Sequence, residues 1–104
     1  MFIWKGTANG EFFSNPKNLP TRIISSIIVN TSGGAVNVYG YVIDENDHSV
    51  PIMNYPKTLS AGESIVSTTS IGMNKNDRVR LVTNGVVGYY FTFTNSVFEG
   101  ETLA

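Results

Sequence analysis

The sequence predicts an all-β fold, a small antiparallel β-sandwich of jelly-roll or Ig-like type. It should have about seven or eight short strands and an extended N-terminal arm. Three observations carry this. No segment of the 104 residues sustains a helical period, and β-branched and aromatic residues dominate every apolar run. Turn-forming residues recur about every eight to twelve positions across residues 21–94.

The first twenty residues differ from the rest. Asn9-Gly10, Asn15-Pro16 and Leu19-Pro20 divide them into short pieces, and each X-Pro step favours extended or turn geometry. Phe2, Ile3, Trp4, Phe12 and Phe13 are too apolar for a solvated tail. The segment is either a first strand and loop packed on its own sandwich or an arm lying on a neighbouring subunit. Residues 1–20 are therefore set apart as an arm, and residues 21–104 form one sandwich domain.

Residues 22–30 read as a strand with Ile24, Ser26 and Ile28 on one face and Ile23, Ser25, Ile27 and Val29 on the other. Both faces are largely apolar, so this strand is expected to be central or covered on both sides. Thr31-Ser32-Gly33-Gly34 supplies a tight reversal. The next strand places Val36, Val38, Gly40 and Val42 opposite Tyr39, Tyr41 and Ile43. Gly40 within it implies a bulge or a close backbone approach.

A polar turn at Asp44-Glu45-Asn46-Asp47 precedes a short strand over residues 49–53, confined to an edge by Pro51. Asn54-Tyr55-Pro56 and Ala61-Gly62 are further turns. Val79 and Leu81 then point inward while Arg78 and Arg80 point outward. Asn84-Gly85 is the strongest short hairpin signal. Beyond it Tyr89, Phe91 and Phe93 alternate with outward Tyr90, Thr92 and Thr94. Val97, Phe98 and Leu103 are the few packing residues of the tail.

A chain of this length supports one core, burying roughly two thirds of its unfolded surface. Only 14% of residues are charged, against about 25% in a typical soluble domain. A low-charge surface loses little solvation when it docks, which favours an assembly component. Net charge is −1, with Lys and Arg spread singly, so nucleic acid is not an expected partner. Without cysteine there are no disulfides, thiolate metal sites or thiol nucleophiles. No window approaches a membrane span and the N-terminus lacks a signal-peptide run, so a soluble protein made in the cytoplasm is expected.

Few residues offer chemistry. Asp44, Asn46 and His48 alternate as in a calcium loop, but the positions that need Gly and an acid hold Ser49 and Tyr55. The single His48 sits in the most polar loop, a poor place for a Ser–His–Asp triad. The eight carboxylates fall in turns, strand starts and tails without a specific pair. No Gly-rich phosphate loop opens a helix. The expectation is no enzyme, no catalytic residue, no metal and no cofactor. Tyr39, Tyr41, Tyr55, Tyr89 and Tyr90 with Trp4 could form a platform for sugars, or serve as core and interface.

Three steps carry a resemblance: Asn30-Thr31-Ser32-Gly33, Leu59-Ser60-Ala61-Gly62-Glu63-Ser64, and Asn76-Asp77-Arg78-Val79. In this order, across residues 22–94, the chain resembles the small β-sandwich proteins of tailed-bacteriophage particles, capsid decoration or cement proteins among them. The last step departs from that pattern, with Asn76 where Gly is usual. Asn tolerates positive φ better than most residues.

The resemblance implies a non-enzymatic virion protein, made in the host cytoplasm, that binds the major capsid protein across capsid subunits as a homo-trimer or homo-dimer. A tail, baseplate or fibre module binding host carbohydrate is the alternative. The residues expected to contact the partner are Phe2, Trp4, Phe12 and Phe13 in the arm, with Arg78 and Arg80 on an exposed face. Removal of residues 1–19 is then expected to weaken capsid binding and leave the sandwich folded.

Overall fold

The computed structural model describes residues 1–52 and 57–95. The described residues form an all-β structure of eight antiparallel strands. These are β1 (Phe2–Phe13), β2 (Thr21–Asn30), β3 (Val36–Ile43), β4 (Ser49–Pro51), β5 (Lys57–Leu59), β6 (Ser64–Ser67), β7 (Ile71–Met73) and β8 (Arg78–Asn95). The expected turn at Asn54-Tyr55-Pro56 and the tail holding Val97, Phe98 and Leu103 lie outside the described residues.

Everything is arranged around β8. Along one edge it pairs with β1, from Phe2↔Phe93 to Phe13↔Arg80. Its other edge is shared. The first part pairs with β3 (Ile43↔Arg78 to Val38↔Thr83), and the second with β2 (Asn30↔Val87 to Thr21↔Asn95). β3 carries β4 and β5 on its far side, and β2 carries β6 and β7. Two sub-sheets therefore share one β1–β8 ribbon.

The ribbon turns sharply where it passes from one sub-sheet to the other. Between Ala8↔Val87 and Gly10↔Thr83, three residues of β8 (Asn84, Gly85, Val86) stand opposite Asn9 alone. Gly10 takes up the bend with φ of +94°, a region closed to most side chains. The Trp4 and Phe12 rings lie 6.0 Å apart, although eight residues of straight strand would separate them by about 27 Å. Thr83 Oγ1 accepts from the Gly10 N–H (3.2 Å) and donates to the Gly85 carbonyl (2.8 Å). It thereby satisfies polar groups that the interrupted ladder leaves behind.

Asn84-Gly85 is thus a bulge within a continuous strand, not the hairpin its sequence predicts. Neither residue has positive φ, which a type I′ reversal needs at both positions. Tertiary contacts decide the outcome. Asn84 Oδ1 accepts from the Asn37 N–H at 2.8 Å. Gly85 lies so close to β3 that a Cβ would come within 2.5 Å of Val36 Cγ2. The excess of two residues is even, so side-chain alternation survives the bend. Val79, Leu81, Thr83, Val87, Phe91 and Phe93 are all buried, and Tyr89 is half-buried on the same side.

The first segment is extended, as β1 of the chain's own sheet, with Asn9-Gly10 bending it rather than ending it. The following loop is tied down too. Ser14 is buried, its Oγ accepts from the Val79 N–H (2.8 Å), and the Lys17 carbonyl accepts from the Asn76 N–H (2.7 Å). In β2 a bulge at Ile24, between Ile23↔Phe93 and Ser25↔Thr92, shifts the phase. Ile23 and Ile28, an odd number of residues apart, are consequently both buried. The strand is central within its sub-sheet, but only one of its faces is covered. Ile27 on the other is exposed.

The buried cluster is Ile23, Ile28, Val36, Val38, Leu59, Met73, Val79, Leu81, Val87, Phe91 and Phe93. At its end sits Asn30, fully buried with its amide saturated. Nδ2 donates to the carbonyls of Gly34 (2.7 Å) and Leu59 (2.9 Å), and Oδ1 accepts from the N–H and Oγ of Ser32 (2.8 and 2.7 Å). One side chain joins the β2–β3 turn to the end of β5. Pro51 lies in β4, which pairs only with β3 among the described strands, so the expected edge assignment holds. β3 keeps regular register at Gly40 without the expected bulge, and the Gly40 carbonyl accepts from the Ile52 N–H (3.0 Å).

Three outcomes are expected in denaturant unfolding. Asn30→Ala strands buried donors and acceptors and should cost about 2–4 kcal/mol, while Asn37→Ala, which removes the exposed bond from Thr58 Oγ1 to Asn37 Oδ1 (2.7 Å), costs less than about 1 kcal/mol. Gly85→Ala should cost about 1–3 kcal/mol by overpacking, and at least about 1 kcal/mol less in a Val36→Ala background. Deleting residues 1–19 uncovers Tyr89 and Phe91 and should abolish the cooperative transition. A truncated chain that still unfolds sharply would show β1 to be dispensable.

Candidate interaction surface

The six residues expected to contact a partner fall into two groups. Phe2, Trp4 and Phe12 are half-buried against the core. Trp4 lies 4.5 Å from Tyr89 and 5.2 Å from Phe91, Phe12 lies 5.0 Å from Tyr89, and the Lys17 ammonium covers Phe2 at 4.7 Å. These aromatics fill the concave side of the bend. Alternation along β1 turns them inward and leaves Ile3, Lys5, Glu11 and Phe13 outward.

Phe13, Arg78 and Arg80 occupy the outer face of the β3 sub-sheet, where they are already engaged. The Arg78 guanidinium stacks on Phe13 at 4.7 Å, and Arg80 on Tyr41 at 5.0 Å. Arg80 Nε also donates to Glu11 Oε2 (2.7 Å) in an ion pair across β8 and β1. The cross-strand stack is an ordered surface of cations over rings.

Sequence reasoning did not single out the outer face of the other sub-sheet. There the ladder sets Lys5, Tyr90, Ile27 and Val66 in one row across β1, β8, β2 and β6. Ile3, Thr92 and Ser25 form the row on one side, and Thr7, Gly88, Val29 and Ser64 the row on the other. Val66 is 64% exposed, Ile3 45%, Ile27 42% and Tyr90 41%. Because Gly88 lacks a side chain, a shallow depression of about 480 Å³ opens beside Tyr90 and Ile27. The signal was present in the sequence as the two apolar faces of β2.

A second hollow of about 200 Å³ is lined by Ile23, Ile28, Ile65, Ile71 and Phe91 on one side and Ile52 and Lys57 on the other. It can admit an apolar group between the two sub-sheets. His48 lies in an exposed loop with its Nδ1 3.3 Å from Asp44 Oδ2. The Asp44 carboxyl is held below its ordinary pKa, chiefly because it accepts the His48 backbone N–H. Among the described residues no group of three or more His, Cys, Asp or Glu is placed to hold a metal ion.

The aromatic residues are not gathered into one platform. Trp4 and Tyr89 face the core, Tyr39 and Tyr41 lie on one outer face, and Tyr90 lies on the other. Tyr55 lies outside the described residues.

No protein-family model matches the chain, and no curated protein matches it. Among solved structures it is similar to the nucleoplasmin-like N-terminal domain of Drosophila FKBP39. That match has a TM-score of 0.52 and 14% identity, over 95% of this chain and 93% of that one. The likeness shows the fold, a small antiparallel β-sandwich. A structure of infectious bursal disease virus, Gx strain, is similar over 94% of this chain and 30% of that one, with 10% identity and a TM-score of 0.41.

Proposed function

We propose that this chain is a non-enzymatic structural protein of a virus particle, self-associating and bound to the outside of an assembled capsid as a decoration protein. The observation that carries the reading is the outer face of the β2 sub-sheet, where Ile3, Tyr90, Ile27 and Val66 are exposed together. An apolar patch of that kind favours contact with another protein surface. Two further features support it. The steps that resemble phage decoration proteins are turn and strand chemistry in the fold: Asn30 is the buried hub, Gly62 and Asn76 have φ of +78° and +68°, and Glu63 and Asp77 cap their turns. The second outer face offers Arg78 and Arg80 stacked on rings, a rigid surface suited to carboxylates on a capsid protein.

Such a protein works mechanically. A ligand that binds the assembled shell and not its free subunits stabilises the shell by mass action. Self-association multiplies the effect, because several weak contacts engaged at once hold far more tightly than one.

Quantitative mass spectrometry of purified virions tests the reading. Symmetric decoration predicts a copy number near parity with the major capsid protein, or a simple fraction such as about one third. A handful of copies per particle would move the protein to the neck or tail, and absence from virions would overturn the proposal.

A further inference from the structure

We infer that the outer face of β1, β8, β2 and β6 is a two-fold interface between two copies of this chain. This deepens the self-association in the functional reading by naming the face and its register. The order of side chains supplies the argument. One row across the sheet reads Lys5, Tyr90, Ile27, Val66. A two-fold axis lying in the interface, parallel to the strands and between β8 and β2, lays this row on itself in reverse. Tyr90 of each copy then covers Ile27 of the other, and the Lys5 stem covers Val66.

Charge favours this arrangement. The basic residues on the face are Lys5, on edge strand β1, and Arg22, which donates to Ser70 Oγ (3.1 Å). The reversed stacking puts the two Lys5 ammonium groups at opposite rims, in water, with their stems on apolar surface. The two Lys5 charges do not meet, and Arg22 lies two rows away from the Tyr90–Ile27 contact. Relief is complementary as well, since in this register the depression over Gly88 faces Val29 of the other copy. In an isologous contact, a projection beside a hollow can fill the partner's hollow while its own is filled.

The area suffices. Strands β1, β8 and β2 over about six residues each and the four-residue β6, about 4.8 Å apart, cover roughly 360 Å² in projection. With side-chain relief, two copies bury roughly 1,100 Å² in total, just above the roughly 1,000 Å² a specific interface needs.

The experiment uses the full chain at rising concentration in sedimentation equilibrium. The wild type should be a dimer or an even-numbered assembly. Ile27→Asp should weaken association at least about 100-fold, because it puts a carboxylate in the centre of an apolar contact. Val66→Lys, at the most exposed position of the row, controls for misfolding and should also weaken it, with circular dichroism unchanged.

Register is tested separately, and the absence of cysteine makes the probe clean. Stacked sheets lie about 10 Å apart, too far for a direct disulfide, so a short bis-maleimide is the reagent. An equal mixture of Lys5→Cys and Val66→Cys chains should cross-link, and neither chain alone should do so. A wild type that stays monomeric, or an Ile27→Asp variant that associates as tightly as wild type, would overturn the inference. Cross-linking of either single variant as strong as in the mixture would overturn it too. These readouts concern isolated protein, so absence from virions removes the capsid reading and leaves the interface standing.

Discussion

A strand that serves two sub-sheets must bend without losing its alternation, and β8 meets that constraint with one insertion. Three residues facing one add an even number, so every odd-numbered side chain from Val79 to Phe93 stays on the inner side. An odd insertion would have turned Tyr89, Phe91 and Phe93 to solvent and emptied half the core. The bend itself is held from three directions. Gly10 relaxes β1 opposite, Thr83 satisfies the freed polar groups, and Trp4, Phe12 and Tyr89 fill the concave side. β2 and β3 take their places because β8 presents a different stretch of the same edge to each.

The carboxylates show how a low-charge chain uses its charges. Asp44 Oδ1 accepts from the N–H groups of Asn46 and His48, Glu63 Oε1 from that of Ser60, and Asp77 Oδ2 from that of Asn74. A residue with positive φ completes each turn: Asp47, Gly62 and Asn76. Glu11 is paired with Arg80. Four of the eight carboxylates are thus committed to fixing backbone or to a surface ion pair. Exposed pairs of this sort add little stability by themselves. Their effect is to fix where the strands begin.

What was legible in the sequence is what local chemistry decides. Asn76 takes the left-handed conformation its side chain tolerates, Gly62 does the same, and Pro51 lies in an edge strand. The in–out pattern of residues 78–81 and 89–94 is as alternation predicts, except that Thr92 on the outer side is buried. What was not legible depends on distant partners. Asn84-Gly85 carries a strong reversal signal that loses to continuous pairing with β1 and to Val36 pressing on Gly85. The bulge at Ile24 has no local marker, and it brings Ile23 and Ile28, assigned to opposite faces, onto the same buried face. β1 looked separable because Asn9-Gly10 resembles a break. Only the ladder to β8 makes it part of the sheet. Surface and core sort in the same way: Trp4 and Phe12 fill the bend, while Ile27 and Val66 stand out as exposed apolar side chains only once the sheet is assembled.

The edges and faces of the sheet differ in how they resist association. β4, β5, β6 and β7 are three or four residues long, too short to template another strand with much affinity. β1 is long, but it is bent at Gly10 and carries Lys5 and Glu11 outward, which blunts it further. The outer face of the β2 sub-sheet has no such protection beyond Lys5 at its rim and Arg22 toward one end of β2. Association through that face would leave the other outer face, with Phe13 under Arg78 and Tyr41 under Arg80, open in both copies. A dimer built this way presents two identical cationic, ring-backed surfaces at a fixed separation. That is the geometry by which weak binding to a repeating lattice becomes strong, because the second contact forms at the high effective concentration set by the first.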